Sequence, residues 1–346
     1  MDYRPLGRSG IEVSAICLGT MTWGTQNSEE EGFAQMDLAV DRGVNFFDAA
    51  EMYPVPPTAE TQGRTEEIVG NWLQSRKCRD KIVLATKVTG PGPRFSYIRD
   101  GDCRLDRKNI TAAIETSLQR LRTDYIDLYQ LHWPDRATNI FGRLGFDDEA
   151  DETAVPLEET LEVLDGLVRS GKVRSVGLSN ETPWGTMTFL KLAEAGKGPR
   201  MVSVQNPYSL LNRSFEVGLA EVAIREDCGL LAYAPIAAGV LSGKYLGGAR
   251  PAGARLTLYP QNDRYRKPAA EPAVQKYVDL AGKHGLRPEV MANAFVVSRP
   301  FTTASIVGAT SLEQLEVQLS AMTTELSQEV LDGIEAIHAE HTIPCP

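Results

Sequence analysis

Eight short apolar runs mark the chain at intervals: "SAICLGT" (14–20), "VNFFDAA" (44–50), "KIVLATKV" (81–88), "YIDLYQLH" (125–132), "KVRSVGLS" (172–179), "RMVSVQNP" (200–207), "CGLLAYAP" (228–235) and "TASIVGAT" (303–310). Each has the length of a strand and is rich in Val, Ile and Leu, and continuous apolar runs fit parallel strands covered on both faces. Between them lie segments of helical period. Residues 28–43 open on Ser and acidic side chains and close on Gly43. In 106–123, Ile110, Ala113, Ile114, Leu118 and Leu121 recur at helical spacing. Residues 156–172 begin with Pro and acids and end on Gly171, and 213–229 and 312–322 follow the same logic.

Eight strands alternating with helices predict an α/β fold, a (β/α)8 TIM barrel. The competing doubly wound sheet has fewer strands, and its nucleotide-binding form carries a G-x-G-x-x-G turn that this chain lacks. The opening "YRPLGRSGIEVS" predicts a β-hairpin that plugs the barrel bottom, and residues 326–340 predict an extra C-terminal helix. Inserts at 89–107, 133–155 and 243–270 each follow a strand, so they are expected on the C-terminal rim, where barrel enzymes keep their sites. Without a linker or an internal repeat, residues 1–346 read as a single barrel domain.

Composition narrows the function classes. A net charge of −10 and the lack of a basic run argue against a nucleic-acid partner. The five cysteines are scattered, with no CxxC, which suits free thiols in a reducing compartment; Cys17 and Cys228 fall in apolar runs and are expected in the core. The N-terminus has no apolar leader segment, and no stretch reaches the ~18 apolar residues of a membrane span. The expectation is a cytoplasmic protein that associates with neither nucleic acid nor membrane. No HxH or HExxH spacing points to a metal.

The polar residues at the ends of the runs converge on one rim if the barrel forms. They are Asp48, with Tyr53 five residues later, Lys87, His132, Ser179 and Asn180, Gln205 and Asn206, Tyr233, and Gly308 and Thr310. Singly, each has an ordinary explanation: Asp48 as a turn former, Lys87 reaching solvent, His132 as a structural imidazole. Together, Asp48, Tyr53, Lys87 and His132 occupy successive strand ends and suit one chemistry. A free Tyr, with a pKa near ~10, is a poor acid at neutral pH, and a neighbouring Lys ammonium is expected to lower it. A carboxylate keeps that Lys charged and oriented, and a His holds a carbonyl oxygen. Such a group protonates an oxygen as hydride arrives at the adjoining carbon.

Over essentially its whole length the chain resembles the aldo-keto reductases, in "LGTMTWG", "FFDAAEMY", "ATKV", "SLQRLRTDYIDLYQLHWP", "GKVRSVGLSN", "VQNPYSLLNR", "AYAPIAAGVLSGKY" and "IVGATSLEQL"; "EMYPVPPTAETQGRTE" and "QNPYSLLNRSFEVGLAEV" are similar to the bacterial Tas-type branch. The resemblance implies the barrel, NADP(H) and reduction of a small-molecule aldehyde or ketone, with Asp48, Tyr53, Lys87 and His132 as the catalytic tetrad and Tyr53 as proton donor. It places Gly19, Thr20, Met21 and Asp48 beside the cofactor, with Ser179, Asn180 and Gln205 on the carboxamide. Tyr233 is implied to stack on the nicotinamide ring. The stretch Ala234, Pro235, Ile236, Gly239, Leu241 and Lys244 is implied to wrap the pyrophosphate, and Gly308, Thr310, Ser311, Gln314 and Gln318 to line the adenosine end. Where many relatives carry a Glu-Asn pair for the adenine, this chain has Val317 and Gln318. Arg264, Arg266 and Lys267 are the expected candidates for the 2′-phosphate; a solvated basic loop is the alternative. Trp23, Trp133 and the tail "HTIPCP" are candidates for the substrate pocket. The family also includes channel-associated β subunits that bind cofactor and turn over slowly, the second function the resemblance allows.

Overall fold

The computed structural model describes residues 1–147, 153–261 and 264–346. Eight parallel strands close into a barrel: β3 (Ile16–Gly19), β4 (Phe46–Asp48), β5 (Val83–Val88), β6 (Ile126–Leu131), β7 (Val173–Ser179), β8 (Met201–Pro207), β9 (Gly229–Tyr233) and β10 (Thr302–Val307), which returns to pair with β3. Every apolar run of the sequence supplies one of them. Ahead of the barrel, β1 (Tyr3–Pro5) and β2 (Glu12–Ser14) form the expected antiparallel hairpin. Its Leu6, Ile11 and Val13 pack with Cys17, Phe46, Val83, Leu128, Val202 and Leu231, which fill the lower barrel and seal that end.

Helices surround the strands: α1 (Glu29–Asp41), α2 (Arg64–Arg76), α3 (Arg107–Leu121), α4 (Leu157–Arg169), α5 (Pro183–Glu194), α6 (Leu219–Arg225), a short α7 (Arg255–Leu258), α8 (Ala270–Lys283), α9 (Pro288–Val297), α10 (Leu312–Leu319) and α11 (Gln328–Glu340). The start of α1 shows why its boundary was readable. The Ser28 hydroxyl accepts from the Glu31 amide and the Glu31 carboxylate accepts from the Ser28 amide, a reciprocal cap on two otherwise unpaired donors. The stretch 213–229 does not form one helix. A 3-10 turn at Ser214–Val217 stops at Gly218, whose backbone is neither helical nor extended (φ −153°, ψ −43°) and reorients the chain before α6. The large core between strands and helices includes Trp23, Phe47, Trp72, Tyr129, Phe189 and Tyr208. Cys17 and Cys228 are fully buried, as expected.

Strand register brings the rim together. Gly19 pairs with Asp48, Asp48 with Ala85, Lys87 with Gln130, Gln130 with Gly177 and Ser179 with Gln205. Among the described residues, no helix is long and apolar enough to cross a membrane.

Candidate active site

The ends of β4, β5, β6 and β8 build a buried polar floor. Lys87, with no solvent exposure, donates from Nζ to Asp48 Oδ2 at 2.7 Å, to the Ala49 carbonyl at 2.8 Å and to the Tyr53 hydroxyl at 3.3 Å. The other Asp48 oxygen accepts from Gln130 Nε2 at 3.1 Å and from Gln205 Nε2 at 2.9 Å. A buried ion pair is retained at low cost only when its remaining lone pairs and protons are also satisfied, and here all three ammonium protons and both carboxylate oxygens are bonded. The His132 ring stands edge-on to Tyr53, with centroids 5.8 Å apart. The four residues of the predicted tetrad are therefore in one place.

Their protonation follows from burial and charge. Burial is the largest influence on Tyr53 and raises its phenol above the usual 10; the Lys87 ammonium opposes this without reversing it. The sequence-based expectation of a net lowered Tyr is thus corrected, because in a closed pocket desolvation of the phenolate outweighs one cation. Burial would lower the Lys87 pKa, yet Asp48 and Tyr53 together push it above its usual 10.5, so the ammonium stays charged. Burial, then the Lys87 charge, drives His132 well below 6.5. Its imidazole is neutral at pH 7, and Nδ1 is buried without a hydrogen-bond partner.

The predicted cofactor residues stand at or just beyond the C-terminal ends of β3, β7, β8, β9 and β10, on the same rim as this floor. Ser179 Oγ donates to the Gln205 carbonyl, and Asn180 Nδ2 donates to the His132 carbonyl and to Ser179 Oγ. Tyr233 donates to Asn180 Oδ1 at 2.6 Å. Thr20 donates to the Asp48 carbonyl. Gly19 is tightly packed, since a Cβ there would come within 2.9 Å of the Ile306 side chain. Beyond Tyr233 the backbone coils tightly through Pro235 and Ile236, with Ala234, Ala237, Ala238, Gly239 and Gly243 all at positive φ. Leu241 anchors this coil in the core. Lys244 folds back over Gly239, where a Cβ would lie 2.9 Å from Nζ. At the far end Gly308 faces open space, Gln314 accepts from Thr310 N and Oγ1, and Asn27 reaches the Thr310 carbonyl. Ser311 caps α10.

Three placements depart from the expected list. Arg264 donates from Nη1 to the Tyr233 hydroxyl at 3.3 Å and from Nε to the Pro346 carbonyl at 3.0 Å, so it sits beside Tyr233. Arg266 donates to the Pro260 carbonyl. Trp23 does not reach the substrate pocket: it is fully buried, against Gly32, with Nε1 directed to Gln35. Trp133 does lie beside His132 (centroids 4.8 Å) and Phe95 (5.4 Å).

Sequence reasoning missed Gln130 and Arg255. Gln130 was legible, because in "YIDLYQLH" it falls two residues after inward-facing Leu128, where a barrel interior calls for an apolar residue. Arg255 had no local signal. Its Nη1 is buried without a partner, Nη2 meets only the Met21 sulfur at 3.9 Å, and burial lowers its pKa. Lys244 is likewise lowered by burial and makes no ion pair with a described carboxylate. By contrast, the buried carboxylates Asp127, Glu66 and Glu181 all hold arginines. Gln318 adds a buried, unpartnered Oε1, while Val317 packs against the apolar cluster of Val290, Ala294 and Ala321. Among the described residues no cluster suited to a metal ion exists.

A profile of the aldo/keto reductase family matches residues 15–339. The chain belongs to the aldo/keto reductase family. It is 51% identical over 346 residues to "Protein tas" of Escherichia coli (strain K12), covering all of both chains. It is 36% identical to "Uncharacterized oxidoreductase YrpG" of Bacillus subtilis (strain 168), over 96% of this chain and 94% of that one. A "Probable voltage-gated potassium channel subunit beta" of Arabidopsis thaliana is 30% identical over 97% and 96%. Membership makes the chain an oxidoreductase of a family that generally uses NAD(P)H.

Proposed function

We propose that this aldo/keto reductase reduces aldehydes or ketones to alcohols with NADPH, acting as one barrel unit in the cytoplasm on small molecules. The supporting observation is the buried Lys87 ammonium bound at once to Asp48 and to the Tyr53 hydroxyl. The residues beyond the floor also suit the cofactor: two desolvated cations without carboxylates, Lys244 and Arg255, suit its phosphates, and the orphaned Gln318 Oε1 suits an amino donor such as adenine's. Ser179, Asn180, Gln205 and Tyr233 would hold the nicotinamide end, which when bound supplies the hydride.

The residues do the rest. Neutral His132 orients the carbonyl oxygen by a hydrogen bond. Tyr53 gives that oxygen its proton, as a general acid within hydrogen-bond reach. The phenolate left behind is stabilised by Lys87, 3.3 Å away, and Asp48 keeps Lys87 charged. The raised Tyr53 pKa means that the acid form is present throughout the neutral range. Of the cations, Arg255 is better placed than Arg264 to take a cofactor phosphate, because Arg264 is engaged at Tyr233. The test is steady consumption of NADPH by purified protein with a panel of aldehydes. Stoichiometric oxidation that then stalls would favour the slow, cofactor-binding behaviour of a channel β subunit, and no oxidation at all would overturn the reading.

A further inference from the structure

Between Asp48 and Tyr53 lies a carboxylate that the proton-transfer scheme does not use. Glu51 is 1% exposed, and its side chain accepts from the Thr89 amide and from both terminal nitrogens of Arg99, at 2.7 and 3.0 Å. Arg99 comes from the insert after β5. It holds this fork with a left-handed backbone: Arg99, Asp100 and Gly101 have φ of 47°, 57° and 84°. Residues with a Cβ avoid that region unless their surroundings impose it, and such outliers gather at functional sites.

The fork positions an apolar wall. With Arg99 fixed, the preceding Phe95 and Ile98 turn toward the barrel and pack with Ala50, Met52, Tyr53, Cys103 and Trp133. A second tether, from Trp133 Nε1 to the Pro91 carbonyl at 2.9 Å, holds the start of the same insert. Gly90 permits it, since a Cβ there would sit 2.5 Å from that nitrogen. The side of Tyr53 turned to this insert is therefore built from aromatic and aliphatic groups, and the Glu51–Arg99 pair beside it uses both terminal nitrogens of Arg99 and leaves Nε without a partner.

We propose that Glu51 and Arg99 form a latch that sets substrate specificity, holding Phe95 and Ile98 against Tyr53 as a wall for large apolar carbonyl compounds. This rests on the carbonyl-reductase reading above. Glu51 and Arg99 are positioning residues, acting through the wall and not on the reacting atoms.

The experiment compares 2-naphthaldehyde with propanal in the wild type, R99A and E51Q, all with NADPH. Turnover of either aldehyde by the wild type tests the parent reading; the ratio of the two kcat/KM values tests the latch. The naphthaldehyde-to-propanal ratio is expected to fall by about tenfold or more in R99A, the scale on which an apolar pocket discriminates. The loss should lie mainly in KM, with the shape of the pH–rate curve on propanal kept. Millimolar guanidinium should restore part of the ratio in R99A by filling the space opposite Glu51. E51Q, which keeps the side-chain shape and loses the charge, gives the second measurement where R99A fails to fold. An unchanged ratio in the folded variants, or loss equal for both aldehydes without guanidinium rescue, overturns the latch.

Discussion

The buried polar floor around Lys87 and the groups proposed to hold the cofactor differ in completeness. On the floor every charged group already has its partner: Lys87 serves Asp48, Ala49 and Tyr53, and Asp48 serves Lys87, Gln130 and Gln205. Among the proposed cofactor groups, Arg255 Nη1 and Gln318 Oε1 are buried without partners. The floor is preorganised by the protein alone, which is where fixed dipoles lower a barrier most. The second set consists of desolvated groups whose cost, in the proposed reading, is offset when the cofactor's phosphate and adenine meet them. The floor's geometry is thus a property of the folded chain, whereas the proposed cofactor groups carry burial energy left uncompensated.

Lys87→Met attacks the floor hardest. It removes the cation beside Tyr53 and strands Asp48, so turnover is expected to fall by at least ~10² and stability by about 3–5 kcal/mol. The Asp48→Asn, Lys87→Met double variant should recover much of the stability and none of the rate. Chemical denaturation and steady-state kinetics measure the two halves separately; equal stability of single and double variants would mean that Asp48 is solvated.

Tyr53→Phe tests the chemistry without disturbing the charges. A drop in turnover of at least ~10² is expected, with NADPH affinity within a few-fold, since only a proton donor is lost. With its pKa raised, Tyr53 in the wild type should give a reduction rate that is flat through neutral pH and declines above 10, while alcohol oxidation climbs as the phenolate forms.

Arg255→Met tests the proposed cofactor groups. A charge-assisted hydrogen bond contributes about 1.5–3 kcal/mol, and each ~1.4 kcal/mol is tenfold, so NADPH should bind roughly ten- to a hundredfold more weakly. NADH should change less where the contact is to the 2′-phosphate. Quenching of tryptophan fluorescence gives both constants. A larger loss from Arg264→Met than from Arg255→Met would exchange their roles.

The smallest effect is on the floor again. His132 is neutral when folded, with its pKa depressed, so below pH 6.5 the unfolded chain binds a proton that the native state refuses. Stability therefore falls as pH drops, by about 1.4 kcal/mol per unit from this group, between 6.5 and its folded value. His132→Gln should remove that share of the slope in urea denaturation at pH 5 to 7.

The strands were legible because a barrel strand buried on both faces leaves a continuous apolar run, and the ends of those runs carried Asp48, Lys87 and His132 in plain view. The tetrad's partners were legible only in part. Gln130 breaks the inward alternation of β6, a readable signal, but Glu51 and Arg99 are separated by 47 intervening positions and meet through a left-handed loop that no periodicity announces. Tyr53 shows a limit of another kind. Its position followed from its motif, but the sign of its pKa shift depended on how completely the inserts after β5 and β6 close over it, a balance of burial against charge that spacing cannot carry.

The hairpin of Leu6, Ile11 and Val13 stops the barrel's lower end with side chains, so the molecule has a front and a back. Met1 lies on the back, near Gly43, and Pro346 on the front, bonded to Arg264 beside Tyr233. For immobilising the protein on a support the two ends are not equivalent. Attachment through the first residues leaves the mouth facing solution, and attachment through the last ones places the linker across it.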